Sequence, residues 1–358
     1  MGKVNTCDLV PGMILDSDVY NFNDQLILPE GLVLNEKAIT KLSYYAITSV
    51  RIRGEGVEAP QIKEDDTGSY NARLRATPEF KKYKEDFEKS VSEMSRMITD
   101  VVTKNAPLDT TKMVEDALEL LHPPGGDINV FDMVHNMRQY DDITFAHSLN
   151  VGLICNVFAG WLGLSPEEQR LATECGILHD IGKLKVPENI IKKPKKLTDA
   201  EYEVVKTHPT EGYKILQRYD VDERVKNAAL MHHERCDGSG YPLGITSEQI
   251  DYYAKIVAIA DVYEAMTAAR NYRGSLCPFD VIEAFEDEGF QKYDTQMIMT
   301  FLENIVNTYM LNRVRLSDGR EGDIIFINKQ KLSRPTIKCG TDYVDLNKEP
   351  GLRIECLV

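Results

Sequence analysis

A chain of 358 residues is too long for one ordinary core and suits two or three domains. Hydrophobic residues make up 42% and charged residues 28%, which excludes a disordered chain and allows a packed fold. A net charge of −15 argues against a protein that tracks DNA or RNA polymers; it would also oppose an anionic substrate unless bound cations reverse the field locally.

Residues 1–60 read as a small N-terminal α/β module. Pro11-Gly12 signals a turn, and QLILPEGLVL reads as strand, turn, strand with Pro29 and Gly31 at the break. NEKAITKLSYYA has helical spacing, with Ala38, Ile39, Leu42 and Tyr45 near one face, and ITSVRIR returns to a strand. Nothing in this module looks catalytic, so it reads as a regulatory unit or a contact for a signalling partner. Residues 61–126 read as linker and connecting helices. The stretch 54–75 is polar and aperiodic, and then Phe80, Tyr83, Phe87, Val91, Met94, Ile98 and Val101 recur at threes and fours as one apolar helical stripe. That stripe packs on the neighbouring core or pairs with a second copy in a homodimer. Pro107 interrupts, a second helix is expected near 110–121, and Pro123-Pro124-Gly125-Gly126 ends it.

From 127 to 310 the pattern is mostly helical, with loops rich in Gly, Pro and Lys. Residues 311–358 read as a β appendage: RVRLSDGREGDIIFIN carries two β-like runs around Asp318-Gly319, and TIKCGTDYVDL reads as a further hairpin. The fold class expected is mainly α. The longest apolar run, Leu149 to Leu164, contains Asn150 and Asn156 and falls short of the roughly 20 residues of a membrane span, so a buried helix is expected and no membrane insertion. Seven cysteines, an odd number with no CxxC pair, read as reduced thiols. With no apolar leader in MGKVNTCDLVPGM, the expected location is cytoplasmic.

All seven histidines lie between His122 and His233. Five of them, His147, His179, His208, His232 and His233, stand in helical or helix-end contexts, near the carboxylates Asp180 and Asp261. A lone histidine there would more often be a structural one, but five beside two carboxylates point to a transition-metal site. Asp180 directly follows His179, and adjacent residues on a helix point apart. Both still reach a metal pair that lies between helices.

The order and wording of these residues resemble a known pattern. His147 stands in TFAHSLNVG, His179-Asp180 in LHDIGKLKVPENII, His208 in VKTHPTEGYKIL, His232-His233 in HHERCDGSGYP, and Asp261 in IVAIADVYEAMTAARNYR. This resembles the HD-GYP subgroup of HD-domain phosphohydrolases over roughly residues 130–310. The first 53 residues more loosely resemble a small domain found ahead of bacterial HD-GYP domains.

The resemblance implies a helical HD core that holds two iron ions, or manganese, through His147, His179, Asp180, His208, His232, His233 and Asp261, with Asp180 bridging. It implies hydrolysis of cyclic di-GMP to pGpG, and onward to GMP, by a hydroxide that the two metals activate. Nitrogen and carboxylate ligands suit iron or manganese better than a thiolate zinc site would. Cys236, in HHERCDG, is read as a spectator. Where some members carry a glutamate ligand for a third metal, this chain has Ile143, so no third metal is expected; Asp142 beside it would point elsewhere on a helix.

Other residues around the motif carry weaker signals. Lys183 lies one helical turn after His179 and reads either as a contact for a phosphate oxygen or as an ordinary surface lysine. By resemblance the Gly240-Tyr241-Pro242 loop borders the substrate, although a purely structural role for this rigid turn fits the residues too. Arg270 and Arg273 have guanidinium forks suited to phosphate and guanine edges. Lys192, Lys193, Lys195 and Lys196 would steer an anion or simply form a solvated loop. Asp237 would orient the loop or a histidine. Two rival functions remain open at this level: a cyclic di-GMP receptor that does not cut, and an HD phosphohydrolase acting on another cyclic dinucleotide or nucleotide.

Overall fold

The computed structural model describes residues 2–6, 9–10, 12–20, 26–34, 38–39, 42, 47, 49–53, 74–121, 130–137, 143–191, 193, 197–267 and 277–358. In the N-terminal stretch, β1 (Gly2–Asn5) pairs antiparallel with β4 (Ser49–Ile52), and β2 (Val19–Tyr20) pairs with β3 (Leu26–Leu28). Of the expected strand-turn-strand around Pro29 and Gly31, the first strand forms as β3, while the second is reduced to a single bridge from Val33 to Ile14. Ala38, Ile39 and Leu42 are buried, as their spacing required. Tyr45, Pro11 and Cys7 lie outside the described residues. β1 carries too few apolar residues to announce itself in the sequence.

The helices begin with α1 (Pro78–Lys104), where Thr77 accepts a hydrogen bond from the Phe80 amide and Pro78 stands in the first turn. Its stripe from Phe80 to Val101 is buried against the rest of the helical core. Asn105, in the left-handed region at φ 52°, ends it. Asp109 caps α2 (Thr110–Glu119), and α3 (Val130–Asn136) follows. Pro123 to Gly126 lie outside the described residues.

The centre of the fold is α4 (Ile143–Trp161). Leu149, Val151, Leu153, Ile154, Cys155 and Phe158 are buried on several faces of it, as a helix enclosed by neighbours requires. Around it lie α5 (Pro166–Leu178), opened by a Ser165/Glu168 capping box, and α10 (Tyr252–Thr267), which is also buried almost throughout. Between these run a 3-10 turn (Ile181–Lys185), α6 (Glu188–Ile191), α7 (Asp199–Val205), α8 (His208–Leu216) and α9 (Glu223–Met231). Two helices, α11 (Pro278–Lys292) and α12 (Thr295–Thr308), close the helical part.

Both expected C-terminal hairpins form. They are β5 (Arg313–Leu316) with β6 (Glu321–Phe326), and β7 (Thr336–Cys339) with β8 (Asp342–Asp345). A further strand, β9 (Ile354–Leu357), pairs with β5 and completes a five-stranded antiparallel sheet ordered β8-β7-β6-β5-β9. Val314, Leu316, Ile324 and Ile337 turn from this sheet into the same apolar core as the helices. Glu286 of α11 fastens the sheet by accepting hydrogen bonds from the Leu332 and Ser333 amides. No helix among the described residues is long and apolar enough to cross a membrane.

Candidate metal centre

Helix α5 ends at His179, and Asp180 leaves the helix with φ −99° and ψ 8°. This break turns two adjacent side chains, which a continuous helix would splay, toward the same point. The 3-10 turn that follows lies directly on α8: a Cβ at Gly182 would stand 2.0 Å from the His208 carbonyl oxygen. Glycine at this position therefore lets Asp180 and His208 come together. His147 comes from α4, His208 opens α8, His232 and His233 follow the end of α9, and Asp261 comes from α10.

These side chains form two groups of metal-ligating atoms that share one residue: His147, His179 and Asp180 in the first, and Asp180, His208, His232 and His233 in the second. Asp180 Oδ2 lies 3.6 Å from His147 Nε2 and 3.3 Å from His179 Nε2. Its Oδ1 lies 3.2 Å from His208 Nε2 and 3.8 Å from His232 Nε2. One carboxylate thus faces the two groups with different oxygens. Asp261 Oδ1 joins the first group 3.1 Å from His147 Nε2.

The imidazoles are held from behind. His179 Nδ1 lies 2.7 Å from the Gly176 carbonyl, His208 Nδ1 lies 2.8 Å from that of Val205, and His232 Nδ1 lies 3.1 Å from those of Ala228 and Ala229. A ring nitrogen facing a carbonyl must donate, so a neutral ring there keeps its lone pair on Nε2. The Nε2 atoms of His208 and His232 then face each other at 3.2 Å, acceptor to acceptor. His179 Nε2 and Asp180 Oδ1 are buried without any hydrogen-bond partner. Buried acceptors turned on one another are costly alone and are satisfied by a cation between them. The donor set therefore fits a divalent metal, held by nitrogen and carboxylate ligands oriented through their outer partners.

Electrostatics follow from the burial. Asp180 and Asp261 sit well below the ordinary carboxylate range: burial opposes ionisation, but His179 and Lys183 outweigh it for Asp180, and His147 does so for Asp261. Burial pulls the His147 imidazole down, yet Glu264 and Asp261 raise it to about 10. Burial, and then their histidine neighbours, depress His232 and His233 well below the usual range.

Among the neighbouring residues some meet expectation and others do not. Lys183 reaches the centre, but as part of the 3-10 turn and by pairing with Asp180 Oδ2. Lys193 is turned away into an ion pair with Glu201 at 2.6 Å. Lys192, Lys195 and Lys196 lie outside the described residues, as do Arg270, Arg273 and Asp142; Ile143 begins α4, one turn before His147. Asp237 orients its own loop by accepting from the Ser239 amide at 2.9 Å. Cys236 takes part in neither ligand group.

The Gly240-Tyr241-Pro242 loop folds back on the histidine pair. Tyr241 stacks on His233 with ring centroids 4.7 Å apart, and a Cβ at Gly240 would stand 2.4 Å from the Glu234 Cα, so only glycine allows the return.

Two buried carboxylates beside the centre escaped the sequence reading. Glu264 is buried, with Oε2 2.6 Å from His147 Nδ1 and Oε1 3.0 Å from Asn150 Nδ2. Its only signal was a position three residues after Asp261, one turn further along the same helix face. Glu234, also buried, accepts from the Leu243 amide at 2.6 Å and the Ile245 amide at 3.2 Å, tying the loop to the residue after the histidine pair.

The profile of the family described as HD domain matches residues 133–297. A 3'3'-cGAMP-specific phosphodiesterase of Vibrio cholerae is 40% identical over 170 residues, covering 47% of this chain and 39% of that protein. A cyclic di-GMP phosphodiesterase of Pseudomonas aeruginosa is 36% identical over 204 residues, covering 56% of this chain and 49% of that protein. The chain thus spans half or less of the length of these curated relatives. In fold, it is similar to the solved structure of a HDG"Y"P protein from Bdellovibrio bacteriovorus, with a TM-score of 0.50 at 18% identity over 85% of this chain and 99% of that one.

Proposed function

We propose that the chain, whose residues 133–297 match the HD domain family, is an HD-domain phosphohydrolase: a metal-dependent phosphodiesterase that hydrolyses cyclic di-GMP to pGpG and onward to GMP. One observation carries the reading: two metal-ligating groups share Asp180, whose separate oxygens face each of them. We assign His147, His179, Asp180 and Asp261 to one ion and Asp180, His208, His232 and His233 to a second. Iron, or manganese in its place, suits these ligands, and with Ile143 at the start of α4 the count stays at two. Two divalent ions would supply an activated water and neutralise phosphoryl charge.

The protein's own groups do the rest. Asp180 fixes the spacing of the two halves of the centre. Lys183, beside it, offers an ammonium to charge that develops on a phosphoryl oxygen. The Gly240-Tyr241-Pro242 loop borders the ligand, and Glu234 holds that loop in register with the histidine pair.

A second reading, cleavage of 3'3'-cGAMP, is favoured by the naming of the relative at 40% identity. The test is anaerobic purification, metal analysis and chromatography of the products formed from each cyclic dinucleotide. About two iron or manganese ions per chain, with pGpG or GMP appearing from cyclic di-GMP, is the result expected. Bound metal with cleavage confined to 3'3'-cGAMP would transfer the assignment to the second reading.

A further inference from the structure

Four of the five imidazoles at the centre have an outer partner at Nδ1: Glu264 for His147, and backbone carbonyls for His179, His208 and His232. His233 is placed differently. Among the described residues its ring has no such bond and stacks instead on Tyr241, with centroids 4.7 Å apart. Helix α9 ends at Met231 and His232 is its cap, so His233 also lies past the hydrogen bonds of that helix. Its position depends on whatever holds the backbone there.

Arg235 does much of this. Its Nη1 donates to the His232 carbonyl at 3.2 Å and to the Glu234 carbonyl at 2.8 Å, while the carbonyl between them, that of His233, accepts from the Tyr241 amide at 3.3 Å. Carbonyls at and beyond a helix C-terminus favour a cation in this place. The guanidinium is fixed from its other side as well. It lies 5.1 Å from the ring centroid of Tyr293, and that ring is buried and set edge-on to Phe285 of α11 at 5.7 Å. The Cys236 amide adds a second tie to the same region, donating to the carbonyl of Lys292 at the end of α11 at 2.8 Å. A line of contacts thus runs from the apolar core through Tyr293 and Arg235 to the backbone of the histidine pair. Arginine suits the task because its planar fork stacks on a ring and donates from its edge at once; an ammonium has no such face.

We propose that Arg235, braced on Tyr293, is the positioning residue that sets His233 as a ligand of the second ion. It does for His233, through the backbone, what an outer partner does for each of the other four imidazoles through the ring. The proposal rests on the reading of the two ligand groups as two metal sites, and it adds a residue that belongs to neither group.

Manganese(II) titrations of the metal-free full chain, resolving two sites, test it alongside melting temperatures. Arg235→Gln should weaken the ion held by His208, His232 and His233 by roughly 10-fold and leave the ion at His147 at its wild-type affinity. Arg235→Lys keeps the charge and should weaken the same ion by less. Tyr293→Phe keeps the ring and should leave both ions unchanged, whereas Tyr293→Leu should weaken the second ion alone. A lower melting temperature with both affinities unchanged, or equal weakening of both ions, would make Arg235 a structural residue only and overturn the proposal. Should Arg235→Gln fail to fold, the two Tyr293 variants carry the same decision. A wild type that takes up no manganese would overturn the metal reading and this proposal together. Two ions bound, with no cyclic dinucleotide cleaved and the second ion still dependent on Arg235, would sink the phosphodiesterase reading and keep the role of Arg235.

Discussion

Glu264 Oε2 stands 2.6 Å from His147 Nδ1, so a buried carboxylate grips this imidazole from behind while its Nε2 faces Asp261 at 3.1 Å. Asn150 holds the other oxygen of Glu264 at 3.0 Å. Removing such an outer partner generally costs about 10- to 100-fold in metal affinity. Glu264→Ala is therefore expected to weaken one of two bound ions by that factor and to leave the other in place. A metal titration resolving two sites checks this, and equal weakening of both would contradict it.

Asp180 belongs to both groups, so its loss cannot be confined to one ion. Asp180→Ala should reduce bound metal at both sites and abolish phosphodiester turnover. Metal analysis paired with product chromatography checks it; full metal content together with retained turnover would refute the assignment.

The pH dependence of metal uptake should differ between the two groups. His147, raised to about 10, must give up a proton to ligate through Nε2. Affinity at its group should therefore climb with pH, on the order of tenfold per unit, until His147 itself titrates. His232 and His233, depressed well below the usual range, are already neutral and impose no such competition. Without metal, the sign for stability is opposite. A raised imidazole contributes stability that is complete below its ordinary 6.5 and is lost as pH rises through about 10. Metal titrations across pH 6–9 and thermal melts of the metal-free protein check both.

Gly182→Ala should separate the 3-10 turn from α8, because the added methyl meets backbone, which cannot rotate away. Overpacking of this kind costs about 1–3 kcal/mol. A lower melting temperature and weaker binding at the group containing His208 are the expected readouts.

Glu234→Ala would leave the Leu243 and Ile245 amides without their shared acceptor. Leu243 is exposed and both bonds are only part-buried, so the expected cost is about 1 kcal/mol per bond. Faster proteolysis within residues 237–246 and a higher KM, at unchanged metal content, should report the loosened loop.

The residues that gather at the centre were legible because imidazoles are rare and their spacing follows the ends of helices; His179-Asp180 and His232-His233 mark where α5 and α9 stop. Glu264 was not, since an acid three residues after Asp261 on a long helix looks like any solvated carboxylate until the partners from α4 are in place. Lys193 looked like part of a basic approach because sequence gives charge but not pairing; Glu201, itself inside a capping box, takes it up. Most helices between 130 and 308 were legible only as a mostly helical stretch, whereas the helices at Pro78–Lys104 and Thr110–Glu119 and both C-terminal hairpins followed from periodicity and turn residues. β9 did not, as a four-residue run with two exposed or half-exposed positions becomes a strand only when β5 offers it an edge.

The merging of the C-terminal sheet with the helical core bears on how the molecule unfolds. Val314, Leu316, Ile324 and Ile337 occupy the same apolar cluster as Phe285, Ile298 and Phe301, which in turn reach α4 through the contact of Phe158 with Phe301 at 4.9 Å. A tail built this way is not a detachable ornament. Heating should melt sheet and helices in one calorimetric event, and a chain ended at residue 310 should expose an oily face and precipitate rather than survive as a smaller folded protein.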